Sequence, residues 1–135
     1  MFLDALTKVT PYNNKDDKLV NVFVETPKGS RQKYDLDHGI GLMTWSLELS
    51  AGLNFPFSFG FVPNKKAEDG DALDIILLLD ADIHGLNDLR DELKWDIQEF
   101  FGTYNRMIER GFESLGFKGA DTAYQLLDES IANAK

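Results

Sequence analysis

Over roughly the first eighty positions, apolar residues come in short clusters separated by turn formers; from Asn87 onward they recur at the spacing of one helix face. Leu19-Val20-Asn21-Val22-Phe23-Val24 is rich in β-branched and aromatic residues and predicts a strand that Pro27 and Gly29 end. Lys33 to Asp37 predicts a second short strand with a turn at His38-Gly39, and 42–49 alternates loosely as a third. Phe57, Phe59 and Phe61 alternate with Ser58 and Gly60, so the three rings are expected on one face, and with Phe55 they are assigned to the core. Leu73 to Leu79 is a continuous apolar run, which predicts a strand buried on both faces. Trp45 and Trp95 are assigned to packing.

Beyond the strands, Leu89, Leu93, Ile97, Phe100, Phe101, Tyr104, Met107 and Ile108 predict a helix over 87–110, capped by Asn87 or Asp88 and stopped by Gly111. Tyr124, Leu127 and Ile131 predict the inner face of a second helix over 121–134. Strands first and helices afterwards imply an α+β fold. The pattern fits one domain over 1–135, with about five antiparallel strands in a small barrel or curled sheet over 19–80 and two helices packed outside.

Composition narrows the chemistry. The 135 residues include no cysteine, which excludes disulfides and thiolate metal ligands and fits a cytoplasmic setting. Neither a signal peptide nor a membrane span is legible. The net charge of −9 disfavours nucleic acid and anionic membranes as partners. That charge is uneven: 68–92 carries nine acids against Arg90, whereas 28–33 holds Lys28, Arg31 and Lys33.

The acids have a pattern. Asp69, Asp71 and Asp74, with Gly70 between the first two, stand at the head of the apolar run. Like charges about 5 Å apart repel by about 3 kcal/mol per pair at an effective dielectric near 20. Three converging carboxylates therefore call for a cation, and oxygen-only donors select Mg²⁺, Mn²⁺ or Ca²⁺. An Asp-Gly turn exposed to water is the plain alternative for the same residues. Lys33 and Glu25 read equally well as an exposed ion pair, and Tyr104 reads as a core residue of its helix face. His38 and His84 fall in turns beside acids, where pairing or exposure is the default.

These segments in this order resemble the soluble family I inorganic pyrophosphatases, whose signature is Asp-x-Asp-x-x-Asp leading into a strand. Val24-Glu25-Thr26-Pro27-Lys28-Gly29-Ser30-Arg31-Gln32-Lys33-Tyr34-Asp35 is similar to that family's early strand–loop–strand. Phe55-Pro56-Phe57-Ser58-Phe59-Gly60-Phe61-Val62-Pro63-Asn64 is similar to its Tyr-Pro-x-Asn-Tyr-Gly-Phe-Ile-Pro segment, and Phe100-Phe101-Gly102-Thr103-Tyr104-Asn105 to its Phe-Phe-x-x-Tyr-Lys. The resemblance implies an OB-like barrel and Mg²⁺-dependent hydrolysis of pyrophosphate or a related phosphoanhydride, with Mn²⁺ as an alternative ion. It makes Asp69, Asp71 and Asp74 the metal ligands, with Asp71 as the catalytic acceptor of the water's proton. Glu25, Lys33, Asp35 and Tyr104 become the substrate-binding residues.

Departures from the family pattern are equally specific. Leu47 or a neighbour stands where the family has an arginine, Phe55 and Phe59 replace its tyrosines, Ser58 its asparagine and Asn105 its lysine. Too few residues separate Asp74 from the helix to contain the family's second metal-binding segment. Asp80 and Asp82 start about 20 Å from Asp74 along an extended strand, so only a loop hooked back would bring them in. The expectation is a shortened, divergent member with impaired hydrolysis that associates as a homo-oligomer through exposed strand edges. A metal- or phosphate-binding homologue without turnover, or a structural or regulatory subunit, are the alternatives.

Overall fold

The computed structural model describes residues 5–6, 8–63, 73–78 and 82–133. Asp69, Asp71 and Asp80, all named as candidates above, lie outside the described residues. The chain divides into two compact units, one of residues 1–78 with 126–135 and the other of 79–125.

The first unit holds seven short strands: β1 (Tyr12–Asn14), β2 (Leu19–Val20), β3 (Phe23–Thr26), β4 (Gln32–Asp37), β5 (Leu42–Glu48), β6 (Ser58–Val62) and β7 (Leu73–Leu77). All pairings are antiparallel, in sheets ordered β1-β2, β3-β6-β7 and β4-β5, with no closed barrel among the described residues. The single strand expected over 19–24 is two. Leu19 and Val20 pair with β1, and after Asn21 and Val22 the chain pairs instead with β6. Asn21 sits at that change of partner, where its backbone N–H donates to Pro11 O and its side-chain amide to Thr10 O.

Strand β6 is the centre of the three-stranded sheet, and Gly60, Phe61 and Val62 are buried along it. Phe55 and Phe57 join them, and Phe59 is half-buried. The small residue at 60 has a mechanical reason. A Cβ there would overlap the Phe23 carbonyl oxygen and lie 2.9 Å from its carbon and 3.0 Å from Val24 Cα. Strand β3 therefore crosses β6 closely enough to leave no room for a side chain. Across the same pair, the Phe23 and Phe61 rings meet at 5.3 Å.

Turns follow their residues. Ser30 N–H donates to Pro27 O across Lys28-Gly29, with Gly29 at φ +88° as a type II turn requires. Gly29 N–H donates to Phe55 O and Phe55 N–H to Ser30 O, which ties this turn to the approach of β6. In the β4–β5 turn, Asp37 Oδ1 accepts from the backbone of Gly39 and Ile40, and Gly41 N–H donates to Asp37 O.

Two expectations in this unit are corrected. Over 73–78 the apolar run is half-buried rather than buried on both faces, and Asp74 is exposed, because among the described strands β7 pairs only with β6 and forms the sheet margin. Trp45 is exposed by 63%, on a strand whose described partner is β4 alone, so it is not a packing residue.

Helix α1 (Asp91–Met107) belongs to the second unit, and Trp95 on it is likewise exposed. Neither Asn87 nor Asp88 caps this helix. Asp88 Oδ2 accepts instead from the amides of His84 and Gly85, closing a separate 3₁₀ turn at Leu86–Asp88, and Arg90 stands at the N-cap. Gly111 is not the stop either. Glu109 takes the left-handed conformation (φ 55°), with Glu109 N–H donating to Arg106 O and Arg110 N–H to Asn105 O in a Schellman arrangement. The second helix, α2 (Ala120–Asn133), buries Leu127 with Tyr124 and Ile131 half-buried, the inner face expected from its spacing. Within the first unit, Tyr12 OH donates to Asp128 Oδ1 at 2.9 Å. No helix among the described residues is long and apolar enough to cross a membrane.

Replacing Gly60 with Ala forces β3 away from β6. We expect a loss of about 1–3 kcal/mol or more in unfolding free energy, read as a lower Tm and denaturant midpoint, and an unchanged midpoint would contradict the close crossing.

Candidate active site

Strand β3 carries the first acid, and a register shift aims it. Val24 pairs with Gly60 and Thr26 with Phe59, so Glu25 is the extra residue of a bulge. Freed from a Cα partner on β6, Glu25 turns toward β4, where its Oε1 accepts Leu36 N–H at 2.7 Å. Thr26, fully buried, makes the neighbouring link: its Oγ1 accepts Tyr34 N–H and donates to Tyr34 O, both at 3.0 Å. Leaving those two backbone groups of Tyr34 without partners in a buried seam would cost roughly 1–3 kcal/mol each.

Strand β4 brings the cation and a second acid. Lys33 and Asp35 are two residues apart and so project on one side, where Lys33 Nζ is ion-paired with Asp35 Oδ1. The ammonium end is sheltered, with the Lys33 side chain only 13% exposed. Beside it, β5 bulges at Ser46, since Lys33 pairs with Leu47 and Tyr34 with Trp45. Leu47 is thus the direct cross-strand neighbour of Lys33. The third acid, Asp74, comes from β7 and pairs in register with Phe61. Cross-strand partners share a face, which sets the carboxylate beside aromatic surface.

The charges act on one another. Burial pushes the Glu25 carboxyl above its ordinary value; the Leu36 N–H opposes this, Asp35 and Asp74 add to it, and Lys33 opposes it. Asp74 is also raised, first by desolvation and further by Asp35, against the pull of Lys33. Among the described residues, three carboxylates therefore share the field of one ammonium. Their donor set is all oxygen, which suits a hard divalent cation, and their mutual repulsion is what such an ion would relieve. Among the described residues no three acidic or histidine side chains are close enough to hold a metal by themselves. A cation shell would need Asp69 or Asp71 alongside Asp74.

Of the residues expected from sequence, Glu25, Lys33, Asp35 and Asp74 are brought together. Tyr104 lies in the second unit, where its ring stacks on Phe100 at 6.0 Å, one helical turn earlier. Asn105 donates from Nδ2 to Phe101 O of its own helix. His38 lies edge-on to Phe61 at 5.4 Å, and His84 uses its backbone to close the turn with Asp88. Sequence reasoning missed Thr26. The faint signal was a β-branched residue with a hydroxyl at the end of an apolar strand.

Comparison with known proteins gives a consistent answer. The family model described as inorganic pyrophosphatase matches residues 22–85, a segment that contains Glu25, Lys33, Asp35 and Asp74. The inorganic pyrophosphatase of a Synechocystis strain is 26% identical over 87% of this chain and 92% of its own length. Its alignment of 156 positions exceeds the whole of this 135-residue chain, so that relative carries inserted residues that have no counterpart here. The Sulfolobus acidocaldarius inorganic pyrophosphatase is 38% identical over 57% of this chain and 44% of its own. In fold, an inorganic pyrophosphatase from Neisseria gonorrhoeae superposes with a TM-score of 0.81 at 20% identity, covering 96% of this chain and 98% of that one. The one from Thermus thermophilus gives 0.76 at 22% identity over 95% and 98%.

The raised carboxyls fix the sign of a pH effect. When the folded value lies above the unfolded one, the folded state holds the extra proton, so this contribution is fully present below the ordinary values of 4.5 for Glu25 and 3.8 for Asp74. It is lost as pH rises through the raised values. Asp74→Asn should therefore flatten the fall of Tm across that window and raise Tm at pH 7; an identical Tm–pH profile would remove Asp74 from the charge cluster.

Proposed function

We propose that this chain, a divergent and shortened member of the inorganic pyrophosphatase family, hydrolyses inorganic pyrophosphate to two phosphates with a divalent cation, Mg²⁺ or Mn²⁺. The observation that carries this reading is the convergence of Glu25, Asp35 and Asp74, from three strands, on the sheltered Lys33. A phosphoanhydride is cleaved mainly by positioning and charge neutralisation, and an acidic cluster beside a lysine suits a metal–phosphate complex better than a bare anion.

Each residue then has a role. Asp69, Asp71 and Asp74 would hold the cation, which when bound would supply charge neutralisation for phosphoryl oxygens and lower the pKa of a water. Asp71 takes the proton of the attacking water; the water oxygen bonds to one phosphorus, and the bridging oxygen leaves with the other phosphate. Lys33 turns from Asp35 to a phosphoryl oxygen. Glu25 and Asp35 form the outer acidic rim.

Turnover is impaired relative to an intact site. Leu47 leaves Lys33 without a cationic neighbour across the strand, and loss of a positive group at a developing charge costs roughly two to three decades in rate. Phosphate release from pyrophosphate with Mg²⁺ should be measurable, and Asp71→Asn should lower it by about two decades or more. Equal rates for wild type and Asp71→Asn would reject the assignment. Cation binding that Asp74→Ala abolishes, with no phosphate released by wild type, would instead support a binding homologue without turnover.

The chain also self-associates in this reading, through β5. Leu42, Met43 and Trp45 are exposed there, and Glu48 is the strand's one charge, so an antiparallel pair of β5 strands keeps like charges at opposite ends. Light scattering should give a mass above the 15.3 kDa monomer for wild type and the monomer mass for Trp45→Glu. A monomeric wild type would refute association.

A further inference from the structure

Strand β3 is held in two different ways. On its β6 side it has a backbone ladder, interrupted at Glu25. On its β4 side two side chains make the link: the Thr26 hydroxyl spans Tyr34 N–H and C=O, and the Glu25 carboxylate accepts Leu36 N–H. Tyr34 lies between Lys33 and Asp35, so whatever fixes its backbone fixes the two residues that present the ammonium and the second acid. Glu25 is the bulged residue, with no Cα partner on β6 to fix its direction. Its neighbour Thr26 is anchored on both sides, by Phe59 through the ladder and by Tyr34 through the hydroxyl.

We infer that Thr26 is a positioning residue for the reaction: its hydroxyl sets the spacing between β3 and β4 at which Glu25 reaches Leu36 and faces Lys33, Asp35 and Asp74. The inference rests on the pyrophosphate reading for its catalytic consequence. The geometric claim stands without it. Full burial with bonds in both directions makes the hydroxyl, rather than the methyl, the working part of this side chain.

Two substitutions separate positioning from filling. Thr26→Val keeps the volume and removes the hydroxyl, whereas Thr26→Ser keeps the hydroxyl and removes the methyl. In the full chain with Mg²⁺ and pyrophosphate, Val should lower kcat by at least about tenfold with KM within about threefold, and Ser should stay within about twofold of wild type. The reverse order, Ser impaired and Val normal, would mean that Thr26 only fills space and would overturn the proposal. Amide exchange followed by NMR gives a readout independent of turnover. Leu36 is bonded by Glu25 and not by Thr26, yet its exchange should quicken by at least about tenfold in Val and not in Ser. Unchanged Leu36 exchange in Val would refute positioning even if activity fell. Should Val fail to fold, a folded Ser variant with a tenfold loss of kcat or faster Leu36 exchange would refute it equally. A wild type that releases no phosphate would sink the pyrophosphate reading, and the exchange data would still decide the role of Thr26.

Discussion

Charge imbalance where β3 and β7 of one sheet meet β4 of another is the constraint around which the first unit is arranged. Among the described residues Glu25, Asp35 and Asp74 interact with Lys33, and one ammonium cannot neutralise three carboxylates. Folding holds them together anyway, because each acid is fixed by something other than attraction to the lysine. Glu25 is carried by a bulge and by the Leu36 amide, Asp35 by strand alternation, and Asp74 by its register with Phe61. Burial first, and the neighbouring carboxylates after it, raise the proton affinity of Glu25 and Asp74, against the pull of Lys33.

Packing beneath the acids makes that arrangement tolerable. Gly60 lets β3 lie against β6, and Phe55, Phe57, Phe61 and Val62 bury the apolar surface that supports the strands. The seam toward β4 is of another kind, since hydroxyl and carboxylate take the places that amides and carbonyls fill in a regular ladder. A sheet joined in this way is open to adjustment by single side chains, which is where a family can diverge while its fold persists.

Much of the fold was legible because the signals were local. Alternation at 57–61 marked the buried strand, and Pro27 with Gly29 marked the turn that ends β3. The Asp37 turn and the face formed by Tyr124, Leu127 and Ile131 were equally clear. What escaped notice depends on partners. Nothing in the run from Leu19 to Val24 tells that its halves pair with different strands. Trp45 looks like core until β5 is known to have β4 as its described partner. Asp88 has the chemistry of a helix cap but is occupied by the amides of His84 and Gly85, and Glu109 adopts a conformation that sequence assigns to glycine. The site divides likewise: the acids and Lys33 were readable from motif spacing, whereas the role of Thr26 exists only because Tyr34 lies across from it.

Exposure of both tryptophans has an optical consequence. In the single chain both indoles are largely exposed and emit at long wavelength, so unfolding of a monomer barely recolours them, and a blue shift would report the covering of Trp45 on association rather than folding. The same feature favours another use. Trp45 stands opposite Tyr34, the residue between Lys33 and Asp35, so an indole spectrum is placed to register events on that strand rather than collapse of the core.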